Sequence, residues 1–365
     1  MLEKGIISTR QFVLMLFIII TSFTALHVPG LLIMHAGGDA WLAVIGGWFL
    51  DVLLAIIYAY LGVRFPKENF VQYSMTILGK YAGRAVGILF PVFFLIVCSL
   101  LQRGLTHLIK FAFLPETPFA AILIGGAVII GFGARKGIEV IARVCEIIGP
   151  IYLISIIFVV LMVMPMGEME NLQPQLVEGF QSIFTGAFMI LTFFGICIMM
   201  AMFIPINNRV EDGFLAKFVA VSMGGFFVLS TVVLAVYVFG YDNIKNIVVP
   251  GLSLTRMIRI GEFIERLEII WMMIAVGAGI MASAMMIWAF SLGTAQILSM
   301  QTFKPLIWPA VLLSSVLALT SFDNHMEHVY FLHYAYPIFA ALVETGLIVL
   351  LFVMALILKK RGKAL

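Results

Sequence analysis

Charged side chains are scarce in this sequence. Asp, Glu, Lys and Arg make up 11% of its 365 residues, whereas soluble domains have roughly 25%. Hydrophobic residues reach 63%, well above the roughly 45–50% of soluble proteins. A chain with so few charges and so many apolar side chains is not an ordinary soluble enzyme, and its composition indicates that lipid is its solvent.

Cysteine and catalytic motifs are also scarce. The three cysteines, Cys98, Cys145 and Cys197, have no CxxC spacing, so neither a disulfide framework nor a zinc site is indicated. The sequence has no P-loop, HExxH or GxSxG motif, which argues against an enzyme. No cofactor is implied. The net charge of +3, without a long basic tail, gives no reason to expect a nucleic-acid partner.

Long apolar runs dominate the chain. They lie at about 11–34, 41–63, 85–113, 119–134, 147–166, 183–205, 216–238, 267–298, 306–321 and 336–358. Most have or exceed the roughly 20 residues that a helix needs to cross about 30 Å of hydrocarbon. We therefore predict an all-α integral membrane protein with ten transmembrane helices, in contact with the lipid bilayer along most of its length.

The 22 Lys and Arg residues are distributed unevenly about these runs. Lys245, Arg256, Arg259 and Arg266 lie on one side, and Arg103 and Lys110 lie inside the third run. The remaining basic residues, with Lys217 counted among them, lie on the other side. The positive-inside rule then places both termini in the cytoplasm, as an even number of helices requires.

The polar segment 167–182 divides the ten runs into two sets of five. Because an odd number of helices reverses direction in the membrane, the halves 1–166 and 183–365 would be inverted relative to each other. Many secondary transporters have this 5+5 inverted repeat, with a ligand site at the middle of the bilayer. We predict a single permease-like transmembrane domain, 1–365, in which 167–182 is an outer loop.

In such transporters the first helix of each half is often broken, and its free backbone groups bind the ligand. The first and sixth runs carry polar and small residues near mid-bilayer, which would be the breaks. The candidate substrate-binding residues are Ser22, Thr24, Ala25, His27, Thr192, Gly195 and Cys197. The alternative is that Gly and Pro only kink packed membrane helices, and spacing alone leaves both interpretations open.

Ionisable residues also lie deep within the apolar runs. Arg103, His107 and Lys110 are spaced i, i+4 and i+7 on one stripe of the third helix. Asp51 in the second run and Glu344 in the tenth are the expected counter-charges for Arg103 and Lys110. Intramembrane charges of this kind form structural ion pairs, gates or proton relays, and the sequence does not distinguish among these roles.

Several short motifs occur in an order that is typical of a known family. They are Asp39-Ala40-Trp41, Phe65-Pro66, Gly79-Lys80, Arg103 with Leu114-Pro115-Glu116-Thr117-Pro118, Gly137-Ile138-Glu139 with Ala142-Arg143, Asn171-Leu172-Gln173-Pro174, and Glu265-Arg266-Leu267 with Trp271. Together they make the chain resemble the B subunit of the spore-germination nutrient receptors. This endospore permease family is part of the amino acid, polyamine and organocation transporter superfamily.

The resemblance implies a LeuT-like fold with a nutrient site beside breaks in helices 1 and 6. It also implies a larger A-type subunit and a lipoprotein C-type subunit as partners in the spore inner membrane. Two departures concern the site. Ser22-Phe23-Thr24 replaces the glycine-rich break of the first helix, and Cys197 or Met199 replaces an acidic residue often found in the sixth.

Two functions remain open at this point. The first is a germinant receptor subunit that binds a small nutrient, expected to be an amino acid, and signals to partner subunits. The second is a cation-coupled amino acid transporter that acts alone, in the bacterial cytoplasmic membrane.

Overall fold

The chain folds into helices joined by short loops. A computed structural model describes residue 3 and residues 5–173, 179–245, 247, 249–258 and 267–362. Within these ranges the extended backbone includes an isolated parallel bridge between Ile7 and Asn207. A helical arrangement follows from the composition, because only helices and closed barrels satisfy every backbone hydrogen bond inside a lipid bilayer.

Most helices match the apolar runs closely. They are α1 (Thr9–Ala36), α2 (Ala40–Arg64), α3 (Phe70–Leu78), α4 (Lys80–Ala112), α5 (Phe119–Lys136), α6 (Ile138–Val163), α7 (Gly179–Phe194), α8 (Met200–Phe203), α9 (Gly213–Phe239), α10 (Tyr241–Ile244), α11 (Pro250–Met257), α12 (Leu267–Ile297), α13 (Ile307–Thr320), α14 (His325–Tyr330), α15 (Tyr336–Ala340) and α16 (Leu347–Ile357). Short 3₁₀ or π segments join several of them.

All ten predicted runs are helical. Among the described residues, eight stretches are long and apolar enough to cross a membrane, and the first of these, Thr9–Arg64, contains both α1 and α2. A shorter apolar helical stretch, Lys304–Thr320, corresponds to the ninth run. The ten apolar segments below are called spans one to ten in chain order.

Helix ends follow local sequence signals. Ser8 and Asn69 cap α1 and α3, and each forms a capping box with the Gln three residues later, which satisfies two free N–H groups reciprocally. Gly137 ends α5 with φ of 91°, a backbone conformation that side chains other than glycine rarely adopt. The helix α6 then begins at once, nine residues before the predicted run.

That early start has a simple cause. Glu139 and Arg143 are charged, so hydropathy excluded them from the span, but they lie four residues apart on the helix surface with 3.5 Å between Oε1 and Nη2. Such i,i+4 pairs are compatible with a solvent-exposed first turn. The apolar run therefore predicts the membrane-embedded part of α6 rather than the whole helix.

The predicted break in the first span is wrong, because α1 is one continuous helix over Thr9–Ala36. Several of its polar side chains hydrogen-bond to carbonyls of their own helix. The Thr24 hydroxyl donates to the Ile20 carbonyl oxygen at 2.7 Å, and the His27 ring contacts the Phe23 carbonyl oxygen at 2.9 Å through Nδ1. These bonds allow polar residues in an unbroken membrane helix.

The predicted interruption of the sixth span is present. The α-helix α7 ends at Phe194 and continues as a 3₁₀ segment, Gly195–Met199, before α8 begins. The tenth span has irregular turns that were not predicted. One π-helical stretch, Phe331–Ala335, leads directly into it, and a second, Ala341–Gly346, interrupts it. Short 3₁₀ and π stretches within helices often mark functional sites.

The helix α1 lies at the centre of the bundle, where it packs against α6, α7, α9 and α12. Around it, α2 packs between α7 and α9, and α4 packs along α12. The second span therefore contacts helices of the second half of the chain, and this packing brings its side chains next to the interrupted sixth span.

The contact between α2 and α7 depends on a close approach at Gly47. A Cβ atom there would lie 2.6 Å from the Ala187 carbonyl oxygen and closer still to Ile190. We expect Gly47→Ala to lower the melting temperature of the detergent-purified protein, because overpacking costs about 1–3 kcal/mol. The matched control is Gly125→Ala in α5, where a Cβ meets nothing within 4 Å. Equal melting temperatures for the two variants would contradict the close approach.

Candidate functional site

A buried ion pair joins the second and seventh spans. The Lys217 ammonium on α9 lies 2.9 Å from Asp51 Oδ1 on α2, and neither side chain has exposed surface. A buried charge needs a partner because its transfer from water to an apolar interior is costly. The pair therefore neutralises both groups and fixes the two helices relative to each other.

This pairing corrects two expectations. Asp51 pairs with Lys217 rather than with Arg103 or Lys110. Lys217 was counted among the cytoplasmic basic residues, but it lies inside the bundle with no exposed surface. Because Lys217 is only a few residues from the start of α9, hydropathy alone could not distinguish a solvated end from a buried position. Arg259 and Arg266, counted on the outer side, lie outside the described residues.

Tyr58 connects the ion pair to the tenth span. The Lys217 Nζ atom lies 4.4 Å from the centre of the Tyr58 ring, within the range of a cation–π interaction. The Tyr58 hydroxyl donates a hydrogen bond of 2.7 Å to the main-chain carbonyl of Glu344. Sequence analysis missed Tyr58, although it follows Asp51 by seven residues, a spacing that places both on one face of α2.

Glu344 is buried against the interrupted sixth span. Its side chain is 1% exposed, and neither carboxyl oxygen has a hydrogen-bond partner in the described protein. A Cβ atom at Gly195 would overlap the end of the Glu344 side chain, so any residue other than glycine would force that carboxyl group to move. The predicted residues Asp51, Gly195, Cys197 and Glu344 thus lie around one buried charged cluster, completed by Tyr58 and Lys217.

A second cluster, of aromatic rings, surrounds the middle of α1. The Phe23 ring lies 5.3 Å, between centroids, from the rings of Phe193, Tyr336 and His27. The His27 ring is 5.4 Å from that of His328. We call these five residues, Phe23, His27, Phe193, His328 and Tyr336, the aromatic cluster; it joins α1, α7, α14 and the tenth span.

Polar atoms within the aromatic cluster lack partners. The Tyr336 hydroxyl and both ring nitrogens of His328 are buried and have no hydrogen bond in the described protein. Buried polar groups are almost always hydrogen-bonded. These atoms could therefore donate to or accept from a polar ligand, while the Phe23 and Phe193 rings offer apolar contact.

The other predicted site residues have different environments. Ser22 is 3% exposed and its hydroxyl has no partner, so it remains available for a ligand. The Thr24 and Thr192 hydroxyls donate to carbonyls of Ile20 and Met189 in their own helices, both at 2.7 Å. Ala25 is buried in α1.

Arg103 binds the end of the ninth span rather than an acidic residue. Its guanidinium donates to the carbonyl oxygens of Ala318 at 2.7 Å and Phe322 at 2.8 Å. The last carbonyls of a helix have no partner within the helix and carry partial negative charge. Arg103 therefore caps α13 and fixes α4 to it.

The rest of the polar stripe on α4 has other neighbours. The His107 ring is 4.7 Å from the His325 ring, and Lys110 is partly exposed near the end of α4. The ring centroids of His325 and His328 are 6.2 Å apart. In the part of the chain that the structure describes, no three His, Cys, Asp or Glu residues are arranged to hold a metal ion.

Comparisons with known proteins agree with this architecture. A family model described as spore germination protein matches residues 6–328. In Bacillus subtilis (strain 168), spore germination protein KB is 27% identical over 333 residues, which cover 90% of this chain and 88% of that protein. Spore germination protein YndE is 28% identical over 314 residues, or 83% of this chain and 85% of YndE.

Solved structures with the same fold are transporters. Mhp1, a nucleobase-cation-symport-1 family transporter in a closed conformation with bromovinylhydantoin bound, matches 94% of this chain and 77% of its own with a TM-score of 0.64 and 13% identity. The match to MhsT in complex with L-phenylalanine covers 95% of this chain and 89% of the MhsT chain, with a TM-score of 0.65 and 13% identity. The predicted LeuT-like fold is confirmed.

The buried ion pair makes a measurable prediction. We expect Lys217→Met to destabilise the protein by about 3–5 kcal/mol, because it leaves Asp51 buried without its counter-ion. Adding Asp51→Asn should restore most of the loss, as read from the melting temperatures of the purified variants. The matched control is Lys245→Met, which removes an exposed pair with Asp242 of similar length, 2.8 Å, and should change little. An equally large effect of Lys245→Met would argue against a special role for burial.

Proposed function

The chain belongs to the spore germination protein family, and from that premise we propose that it is the membrane subunit of a germinant receptor. In this proposal it binds a small nutrient at the middle of the bilayer and signals to partner subunits. The partners would be an A-type and a C-type receptor subunit. The membrane would be the spore inner membrane or the bacterial cytoplasmic membrane, with both termini in the cytoplasm.

One observation carries the nutrient proposal: the aromatic cluster combines apolar rings with buried polar atoms that have no partner. Ligand sites are mostly apolar, with a few polar groups that fix orientation. An amino acid suits such a site, since its side chain could pack against Phe23 and Phe193. Its polar groups could meet the Tyr336 hydroxyl and the His328 ring, whose nitrogens have no hydrogen-bond partner among the described residues.

Signalling requires that the nutrient bind one conformation more tightly than another, because a ligand shifts an equilibrium only by its differential affinity. The sixth and tenth spans are suitable moving parts. Each contributes a ring to the aromatic cluster, Phe193 and Tyr336 respectively, 4.9 Å apart. Each also contains non-α-helical turns. A nutrient between these rings would favour one relative position of the two spans.

The second candidate is a cation-coupled amino acid transporter that needs no partner. The observation in its favour is the fold, which matches a Na⁺-coupled sialic acid symporter over 95% of this chain with a TM-score of 0.66. Uptake by proteoliposomes containing only this chain separates the two functions. Concentrative amino acid uptake driven by a proton or sodium gradient would favour the transporter. No uptake, with nutrient-triggered germination requiring the A-type and C-type subunits, would favour the receptor.

The aromatic cluster is tested most directly by Tyr336→Phe, which removes only a hydroxyl group. We expect the half-maximal concentration of an amino acid mixture needed for germination to rise about five- to tenfold, the equivalent of one lost hydrogen bond. The measurement uses spores with the variant as their only copy of this subunit, with its membrane level checked by immunoblotting.

Tyr152→Phe is the matched control for this experiment. Tyr152 is also fully buried with an unpartnered hydroxyl, but its ring packs against Phe17 and Phe227, outside the aromatic cluster. Its dose response should stay unchanged. If both variants shift equally, or neither shifts, Tyr336 is not part of the nutrient site.

A further inference from the structure

The buried charged cluster contains one more acid than base. Asp51 and Lys217 pair at 2.9 Å, which leaves Glu344 without a counter-ion of its own among the described residues. The carboxyl of Glu344 is 1% exposed and neither of its oxygens accepts a hydrogen bond from the described protein. The tenth span passes through this cluster as a π segment, Ala341–Gly346.

The groups that face Glu344 offer no second cation. The ionisable side chains around it are Asp51 and Tyr58 from α2, Lys217 from α9, Cys197 from the sixth span and Tyr336 from the tenth. Lys217 is already engaged by Asp51 and by the Tyr58 ring. An ionised carboxylate at this position would be desolvated, unpaired and near a second carboxylate, each of which disfavours the charged form.

We propose that Glu344 is a proton-binding site, which carries a proton while the sixth and tenth spans are packed together and releases it when they separate. In the release step the carboxyl O–H bond breaks, the proton passes to water, and the carboxylate that remains is hydrated. Nothing is oxidised or reduced.

The position of Gly195 couples this proton to the conformation. The Glu344 carboxyl occupies the space that a side chain at position 195 would fill, so the packed sixth and tenth spans bury it. Burial disfavours the ionised carboxylate, and ionisation of Glu344 therefore disfavours the packed arrangement of the two spans. Because the packed form binds one proton more than the separated form, acidification favours the packed form, by up to tenfold in the equilibrium constant per pH unit. The proton site does not depend on the identity of the nutrient.

Infrared spectroscopy of the full chain in lipid nanodiscs tests the proposal without any ligand. A protonated carboxyl has a C=O stretching band, distinct from that of a carboxylate, that shifts in ²H₂O. We expect this band at neutral pH, and we expect Glu344→Gln to abolish it. The control Glu116→Gln, at an exposed glutamate, should leave the band unchanged. Absence of the band from the native chain at neutral pH, or its persistence in Glu344→Gln, would overturn the proposal.

An isotope label removes the dependence on a folded variant. Among the described residues, the buried polar side chains include a single glutamate, Glu344. Protein labelled with ¹³C at the glutamate carboxyl should therefore show the protonated band at lower frequency, whereas ¹³C-aspartate should not move it. A shift with labelled aspartate alone would assign the proton to a buried aspartate, Asp39 or Asp51, and refute the proposal.

A metal cation is the competing ligand for this carboxyl. Replacing choline with Na⁺ or K⁺ at constant ionic strength should leave the native infrared band and melting temperature unchanged. If either cation abolishes the band and stabilises the native chain but not Glu344→Gln, the site binds a metal cation and the proton proposal fails.

Discussion

The neutralisation of Asp51 by Lys217 is the interaction on which the centre of this molecule depends. Both groups are fully buried at 2.9 Å, in a medium where an unpaired charge is too costly to keep. The pair fixes α2 against α9, and the Tyr58 ring and hydroxyl extend the connection to the tenth span through Lys217 and Glu344. Three spans that are distant in sequence are thereby held around the interrupted turn at Gly195.

Sequence reasoning predicted the helices because apolar length is a local property. All ten apolar runs are helical, and the capping residues mark several ends. Local patterns were less informative about helix continuity. The motif Ser22-Phe23-Thr24 looked like a break, but Thr24 and His27 bond to carbonyls one turn earlier and α1 stays continuous. The π segment Ala341–Gly346 of the tenth span contains Glu344, whose carbonyl accepts a hydrogen bond from Tyr58 on another helix, a contact that hydropathy does not describe.

The pairing of charges could not be predicted for a related reason. Their depth within the apolar runs predicted that Asp51, Arg103 and Glu344 are buried. It did not predict which helices contact each other. Arg103 donates hydrogen bonds to main-chain carbonyls at the end of α13, and a search for acidic residues does not identify such acceptors. Lys217 lies near a helix end, where a basic side chain is ordinarily solvated, and only the packing of α9 against α2 buries it.

The aromatic and charged clusters act on the same two pieces of chain. Phe193 and Gly195 are two residues apart at the end of α7, and Tyr336 and Glu344 are eight residues apart on the tenth span. A ligand at the rings and a proton at the carboxyl would therefore act on the same equilibrium, which is the relative position of the two spans. Linkage is reciprocal, so if the proton stabilises the arrangement that the ligand prefers, each must tighten the binding of the other. Because Gly195–Met199 and Ala341–Gly346 are irregular rather than α-helical, they are the part of the two spans where such a rearrangement disturbs the fewest regular hydrogen bonds.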